Sequence, residues 1–207
     1  MDKPEKLKTG TTTVGIICQD GVVLGAEKKA TMGYLVASKA AEKILSIDEH
    51  IAMTIAGSVG DAQTLERYIK AELKLYGLRE DRKISVRAAS TLVSNILYAR
   101  SMYPYIVQLV IGGYDDSGPA MYSLAPDGSV MEEKEYFSTG SGSPFAFGVL
   151  EDGYKKGIKV EEAKKLVVRA IRSAIQRDIA SGGRGIDVVV IDSRGIHKMP
   201  EEDIKQM

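Results

Sequence analysis

Cysteine and histidine are scarce in this chain of 207 residues: one cysteine, Cys18, and two histidines, His50 and His197. A lone thiol excludes an intramolecular disulfide and a multi-cysteine zinc site. Two histidines far apart in sequence leave no histidine-rich metal centre to expect, and neither is assigned a catalytic role. Cys18 lies in an apolar stretch, where a thiol acts as a small inert hydrophobe. An excess of one charge is also missing, with 28 Lys and Arg against 28 Asp and Glu. That balance argues against a nucleic-acid or membrane surface, which needs a basic excess. No uninterrupted apolar run approaches the ~20 residues that span a bilayer. The charged opening, residues 1–8, lacks the apolar core of a secretory signal. There is no low-complexity linker and no repeat of 20–50 residues. A soluble, cytosolic chain with neither metal nor cofactor is expected.

What is present is an ordinary globular composition with a clear change of period. Residues 12–18 alternate as a strand, Gln19-Asp20-Gly21 supplies a hairpin turn, and residues 22–27 return. Short strands are expected at 34–38, 44–47 and 51–56. From residue 61 the apolar positions Ala62, Leu65, Ile69, Leu73 and Tyr76 recur every three or four residues, the period of an amphipathic helix. Ser58 with Asp61 reads as its capping box and Gly77 as its stop. A second helix is expected over 85–100, then strands at 106–111, 120–124 and 130–137. Ser143-Pro144 opens a helix to about residue 154, with Ser143 as its N-cap. Another covers 160–179, and strands at 186–191 and 195–199 close the chain. Hairpin-linked strands argue for antiparallel sheets, and each helix pair needs a sheet face to cover. Two packed sheets with a helical layer outside each satisfy both demands, as one domain.

The chemistry is concentrated at the start. If the bond between Gly10 and Thr11 is cut, Thr11 carries a hydroxyl and a free amine, a nucleophile and a base on one residue. A free α-amine has a pKa of about 7.7–8.0, and a nearby cation lowers it further. Glu27, at the end of the returning strand, comes back beside the start of the first strand. Lys43, just before another strand, can reach the same end. Ordinary solvated charge is the other reading of both, since Glu27 adjoins Lys28 and Lys29, and Lys43 adjoins Glu42. Gly57 precedes a helix, where backbone N–H groups can hold an oxyanion; a tight strand-to-helix turn is the other explanation. Thr139-Gly140-Ser141-Gly142-Ser143-Pro144 lacks the G-K-[ST] ending of a P-loop and does not fit G-x-S-x-G, which leaves a polar loop with hydroxyls at a helix start. Asp178 opposes the helix macrodipole, so a specific partner is expected for it, an ion pair with Arg177 or another surface base being the alternative.

Taken together, these pieces resemble the β-type subunits of archaeal proteasomes. The resemblance rests on G-T-T-T-V-G at 10–15, M-T-I-A-G-S-V-G-D-A at 53–62, Y-I-V-Q-L-V-I-G-G at 105–113, T-G-S-G-S-P at 139–144 and R-D-x-x-S-G-G at 177–183. It implies an α+β chain folded as the four-layer αββα sandwich of the N-terminal-nucleophile hydrolases. It implies that residues 1–10 are a propeptide, that self-cleavage after Gly10 exposes Thr11, and that 11–207 form one catalytic domain. By the same resemblance Glu27 and Lys43 are the acid–lysine pair and Gly57 the oxyanion-hole amide. Ser141, Asp178 and Ser181 orient the amine and hydroxyl of Thr11. Ala30, Ala41, Leu45 and Ile55 match the P1 pocket, and their apolar character implies cleavage after apolar side chains. The implied partners are other β subunits in a seven-membered ring, α subunits outside it, an ATP-driven unfoldase and unfolded polypeptide. Two other roles stay open: a non-catalytic ring subunit, and a related bacterial ring protease or other amidase with an N-terminal nucleophile.

Overall fold

The structure, a computed structural model, describes residues 10–207. Residues 1–9, most of the expected propeptide, lie outside the described residues. The chain opens with β1 (Thr13–Ile17), β2 (Val22–Glu27), β3 (Ala30–Met32), β4 (Leu35–Ser38), β5 (Ile44–Asp48) and β6 (Ile51–Gly57). Helices α1 (Val59–Glu80) and α2 (Val86–Tyr98) follow, then β7 (Val107–Asp115), β8 (Gly118–Leu124), β9 (Val130–Glu133) and β10 (Tyr136–Thr139). It closes with α3 (Ser143–Gly153), α4 (Val160–Arg177), β11 (Ile186–Asp192), β12 (Gly195–Lys198) and α5 (Glu201–Gln206).

Two five-stranded antiparallel sheets form the centre. One runs β10-β1-β2-β11-β12 and the other β5-β6-β7-β8-β9. Three apolar layers hold the sandwich. Val14, Ile16, Val23 and Val188 pack against Ala163, Val167 and Ile171 of α4. Met53, Leu109 and Ile111 of the second sheet pack against Leu65, Ile69, Val93 and Leu97 of α1 and α2. Between the sheets lie Leu24, Ala26, Ile44, Val110 and Met121. The strand period of two sends successive residues to opposite faces, so each sheet feeds both an inner and an outer layer. The result is the αββα sandwich expected from the order of elements.

Four local readings change. The run 130–137 is two strands: β9 pairs with β8 in one sheet and β10 with β1 in the other. The chain crosses between sheets at Lys134-Glu135, a polar pair that suits neither core. Helix α1 passes Gly77 and is capped by Asp81, whose N–H donates to the Gly77 carbonyl at 3.1 Å and whose left-handed φ of 47° then turns the chain out of the helix. Ser58 caps that helix, but the Asp61 carboxylate accepts from Ile106 N–H instead of closing a reciprocal box. Gly142, not Ser143, occupies the N-cap of α3. Two elements were not anticipated: β3, which makes a small hairpin with β4, and α5, which seats Ile204 against the first sheet's helical layer.

Candidate active site

Thr11 lies just ahead of β1, and strand alternation then divides the three threonines. Thr11 and Thr13 face the second sheet, while Thr12 faces the α3–α4 side. The tight turn of the β1–β2 hairpin, where Cys18 N–H donates to the Gly21 carbonyl at 2.8 Å, sets the register Thr13 opposite Ala26. That register returns Glu27 to the start of β1. Lys43 enters from the second sheet, where the N–H of Ile55 holds its carbonyl at 2.9 Å.

Thr11, Glu27 and Lys43 are all buried. The Lys43 Nζ donates to Thr11 Oγ1 at 2.9 Å, to the Lys29 carbonyl at 2.6 Å and to Glu27 Oε1. Three acceptors match the three protons of an ammonium. Burial pushes Lys43 below its ordinary pKa, and the Glu27 carboxylate opposes that push. Glu27 has four donors: Lys43 and Thr12 N–H on Oε1, Lys29 N–H and Gly182 N–H on Oε2. An amide at position 27 would turn its NH₂ toward two of those donors whichever way it flipped, so only a carboxylate satisfies all four. Both residues are therefore internal, and the solvated-charge reading of them fails.

Asp178 has its specific partners. Its Oδ2 accepts from Ser141 Oγ and Ser181 Oγ, each at 2.6 Å. Among the described residues it forms no ion pair, with Arg177 or any other base. Since both serine protons go to Asp178, Ser141 is left to accept, and it takes Thr11 N–H at 3.2 Å. Ser181 likewise accepts from Thr12 Oγ1 at 2.6 Å.

Gly57 borders the same cleft. Its φ of 139° is open to glycine alone, and a Cβ would stand 2.0 Å from the Ile106 carbonyl oxygen. Ile55 N–H points toward Lys43, and two residues on the Gly57 N–H lies on the same side of the strand. Ala30, Ala41, Leu45 and Ile55 also line this cleft of about 560 Å³, whose rim carries Glu42 and Glu66. A wider groove between α1 and α2 and a polar depression around His50 contain none of the candidate residues. His50, at the β5–β6 turn, donates from Nε2 to the Ile84 carbonyl at 2.8 Å. Burial and then Asp20 push the Cys18 thiol up to about 12, which keeps it protonated and inert.

Thr11 Oγ1 donates to the Gly10 carbonyl at 2.6 Å. Gly10 is hemmed in: a Cβ there would lie 1.7 Å from the Cβ of Ala180. On the expectation that the chain is cut after Gly10, Gly10→Ala would displace that bond and slow release of residues 1–10 by about 10²-fold, the cost of an ångström-scale misplacement. Intact mass against time checks this, and Ala180→Gly in the same chain is expected to restore most of the rate.

Sequence reasoning missed the supporting hydroxyls and amides: Thr12, Thr13, Thr31, which accepts from Gly10 N–H at 3.3 Å, and the backbone of Lys29 and Gly182. Only the run of three threonines offered a signal for two of them.

A family model described as proteasome subunit matches residues 7–191. The chain belongs to the proteasome subunit family. Among curated relatives, the proteasome subunit beta of Ferroglobus placidus is 53% identical over 97% of this chain and 95% of its own length. That of Archaeoglobus fulgidus is 53% identical over 98% and 95%, and that of Methanohalophilus mahii 51% over 100% and 98%. A proteasome subunit of this kind is a core component with a peptidase role, assembled with other proteasome subunits. No helix among the described residues is long and apolar enough to cross a membrane.

Proposed function

We propose that this chain is a catalytic proteasome subunit that hydrolyses peptide bonds of unfolded polypeptides with Thr11 as nucleophile. The observation that carries the reading is the buried Lys43 Nζ, 2.9 Å from a threonine hydroxyl that itself lies 2.6 Å from the Gly10 carbonyl oxygen. In the precursor the nitrogen of Thr11 is an amide and offers no base. Lys43 is the only side-chain amine within hydrogen-bond reach of Oγ1 among the described residues, and its lowered pKa enlarges the neutral fraction that can take the proton. The bond Oγ1–C(Gly10) forms, the C–N bond breaks, and the nitrogen leaves as the amine of Thr11, taking the proton that Lys43 accepted from Oγ1. Water then hydrolyses the ester and frees residues 1–10 as a propeptide.

In the mature subunit the new amine lies beside Ser141, which accepts one of its protons and leaves the nitrogen lone pair to take the proton of Oγ1. Lys43, as a cation, stabilises the developing alkoxide and lowers the amine's pKa. The Gly57 N–H faces the carbonyl oxygen of the substrate. An acyl ester forms on Oγ1, the amine product departs with the proton, and water releases the acid. Ser141, Asp178 and Ser181 hold the amine in place. Ala30, Ala41, Leu45 and Ile55 receive an apolar P1 side chain. The working particle is a seven-membered ring of such subunits in the cytoplasm, capped by α subunits and fed by an ATP-driven unfoldase.

A panel of fluorogenic peptides differing only at P1 tests this reading. Assembled particles are expected to favour leucine, phenylalanine or tyrosine over lysine or arginine by about 10-fold or more in kcat/KM, the range one pocket contact provides. A preference for basic P1 contradicts the pocket assignment. Absence of any hydrolysis by correctly assembled particles contradicts the catalytic role and favours a structural subunit.

A further inference from the structure

Three side-chain hydroxyls meet in the layer between the two sheets. Thr13 Oγ1 lies 2.6 Å from Thr139 Oγ1 and 3.0 Å from Thr54 Oγ1. All three residues are buried. Thr13 and Thr139 are register partners in β1 and β10, whereas Thr54 belongs to β6 of the opposite sheet. Among the described residues the Thr13–Thr54 contact is the one hydrogen bond between strand residues of the two sheets; the Lys43–Glu27 pair and the Gly140 N–H on the Gln108 side chain, 3.3 Å, also cross, each from a residue just outside a strand.

The surrounding layer is apolar, with Leu24, Ile44, Val110 and Met121 among its members. Burying hydroxyls there costs desolvation that their mutual bonds only offset. Valine has the shape of threonine without that cost, so cohesion between the sheets does not explain three threonines. Position does. Thr13 is two residues from Thr11, Thr139 two from Ser141, and Thr54 three from Gly57. Thr54 also adjoins Ile55, whose N–H holds the backbone of Lys43. Apolar contact is non-directional and lets sheets slide. A hydroxyl pair at 3.0 Å constrains both distance and angle.

We propose that this three-hydroxyl node sets the register between the sheets at the active site, with Thr54 as the positioning residue that fixes Gly57 and Lys43 against Thr11. The proposal rests on the reading of Thr11 as nucleophile. Thr54 touches neither substrate nor the reacting atoms; it acts through the strands. Removing its hydroxyl leaves Thr13 bonded to Thr139 and the apolar layer filled, so folding is expected to survive while the alignment loosens.

Steady-state kinetics of assembled Thr54→Val particles test this. A fall in kcat of about 10-fold or more is expected, approaching the ~10²-fold cost of a 1 Å misplacement, with KM within about twofold of wild type. The thermal midpoint is expected to stay the same or rise, and Thr54→Ser to recover most of kcat. A Thr54→Val particle with kcat within about twofold of wild type, or equal loss in Thr54→Ser, overturns the proposal. Should Thr54→Val fail to assemble, Thr13→Val, which removes the other hydroxyl of the cross-sheet pair, decides by the same criteria. A wild-type particle without peptidase activity overturns the underlying assignment of Thr11, an outcome distinct from an active wild type with an indifferent Thr54→Val.

Discussion

Thr11→Ala is expected to abolish peptide hydrolysis and to retain residues 1–10 in the same particle. Both losses follow from one atom in the proposed mechanism, in which Oγ1 attacks the Gly10 carbonyl in the precursor and the substrate carbonyl afterwards. The variant removes a hydroxyl and a methyl group from a buried position but leaves Glu27, Lys43 and Asp178 with their other partners. Folding and assembly are therefore expected to continue. Removing the nucleophile of a comparable constellation leaves only what binding and oxyanion stabilisation provide, so a fall of about 10⁴-fold or more is expected. Thr11→Ser keeps the hydroxyl and is expected to keep both processing and measurable turnover. Initial rates on an apolar-P1 peptide, read beside the mass of the same sample, separate the cases. Normal turnover by Thr11→Ala removes Thr11 from the mechanism altogether.

Lys43→Ala carries the second large effect. An ammonium 2.9 Å from a developing alkoxide gains roughly 6 kcal/mol of gross Coulomb energy at an effective dielectric of 20. That corresponds to about four decades of rate, in line with the 10²–10⁴-fold usual for proton transfer by a placed side chain. The substitution also leaves Glu27 buried without its counter-charge, and breaking a buried pair this way costs about 3–5 kcal/mol of stability. Glu27 keeps three N–H donors, which limits that loss. The expectation is a fall in kcat of at least about 10³-fold, retention of residues 1–10, and a lowered melting temperature. Lys43→Arg separates charge from proton exchange: arginine keeps the cation but cannot deprotonate, so processing is expected to fail there too. Processing by Lys43→Arg at the wild-type rate would limit Lys43 to electrostatics.

The layers of the fold were legible because they follow from local patterns. Apolar residues every three or four positions in α1, and alternation with a Gln19-Asp20-Gly21 turn in β1 and β2, each specify an element within a short window. The hairpin register then brings Glu27 back to Thr11 without further information. The division of 130–137 was not legible, because both halves have strand character and only pairing with distant β8 and β1 separates them. Strand β3 is three residues long, too short for any period to show.

The site divides in the same way. Thr11, Glu27 and Lys43 have residue types that chemistry demands, so they stand out from their neighbours. Asp178 stood out by its unfavourable place at the end of α4. Thr13, Thr54 and Thr139 did not, since threonine is an ordinary strand residue and their partners lie 41 and 126 positions apart in the chain. The four residues proposed for P1 come from β3, the β4–β5 connection, β5 and β6, and meet only once the cleft is folded.

The reading as a whole turns on the bond between Gly10 and Thr11. Intact mass of the assembled wild-type subunit, taken on the same preparation that hydrolyses an apolar-P1 peptide, tests it most directly. The expected result is a chain that has lost residues 1–10 and begins at Thr11. An active particle whose subunit still carries residues 1–10 contradicts it, because Thr11 would then have no free amine while catalysis proceeded.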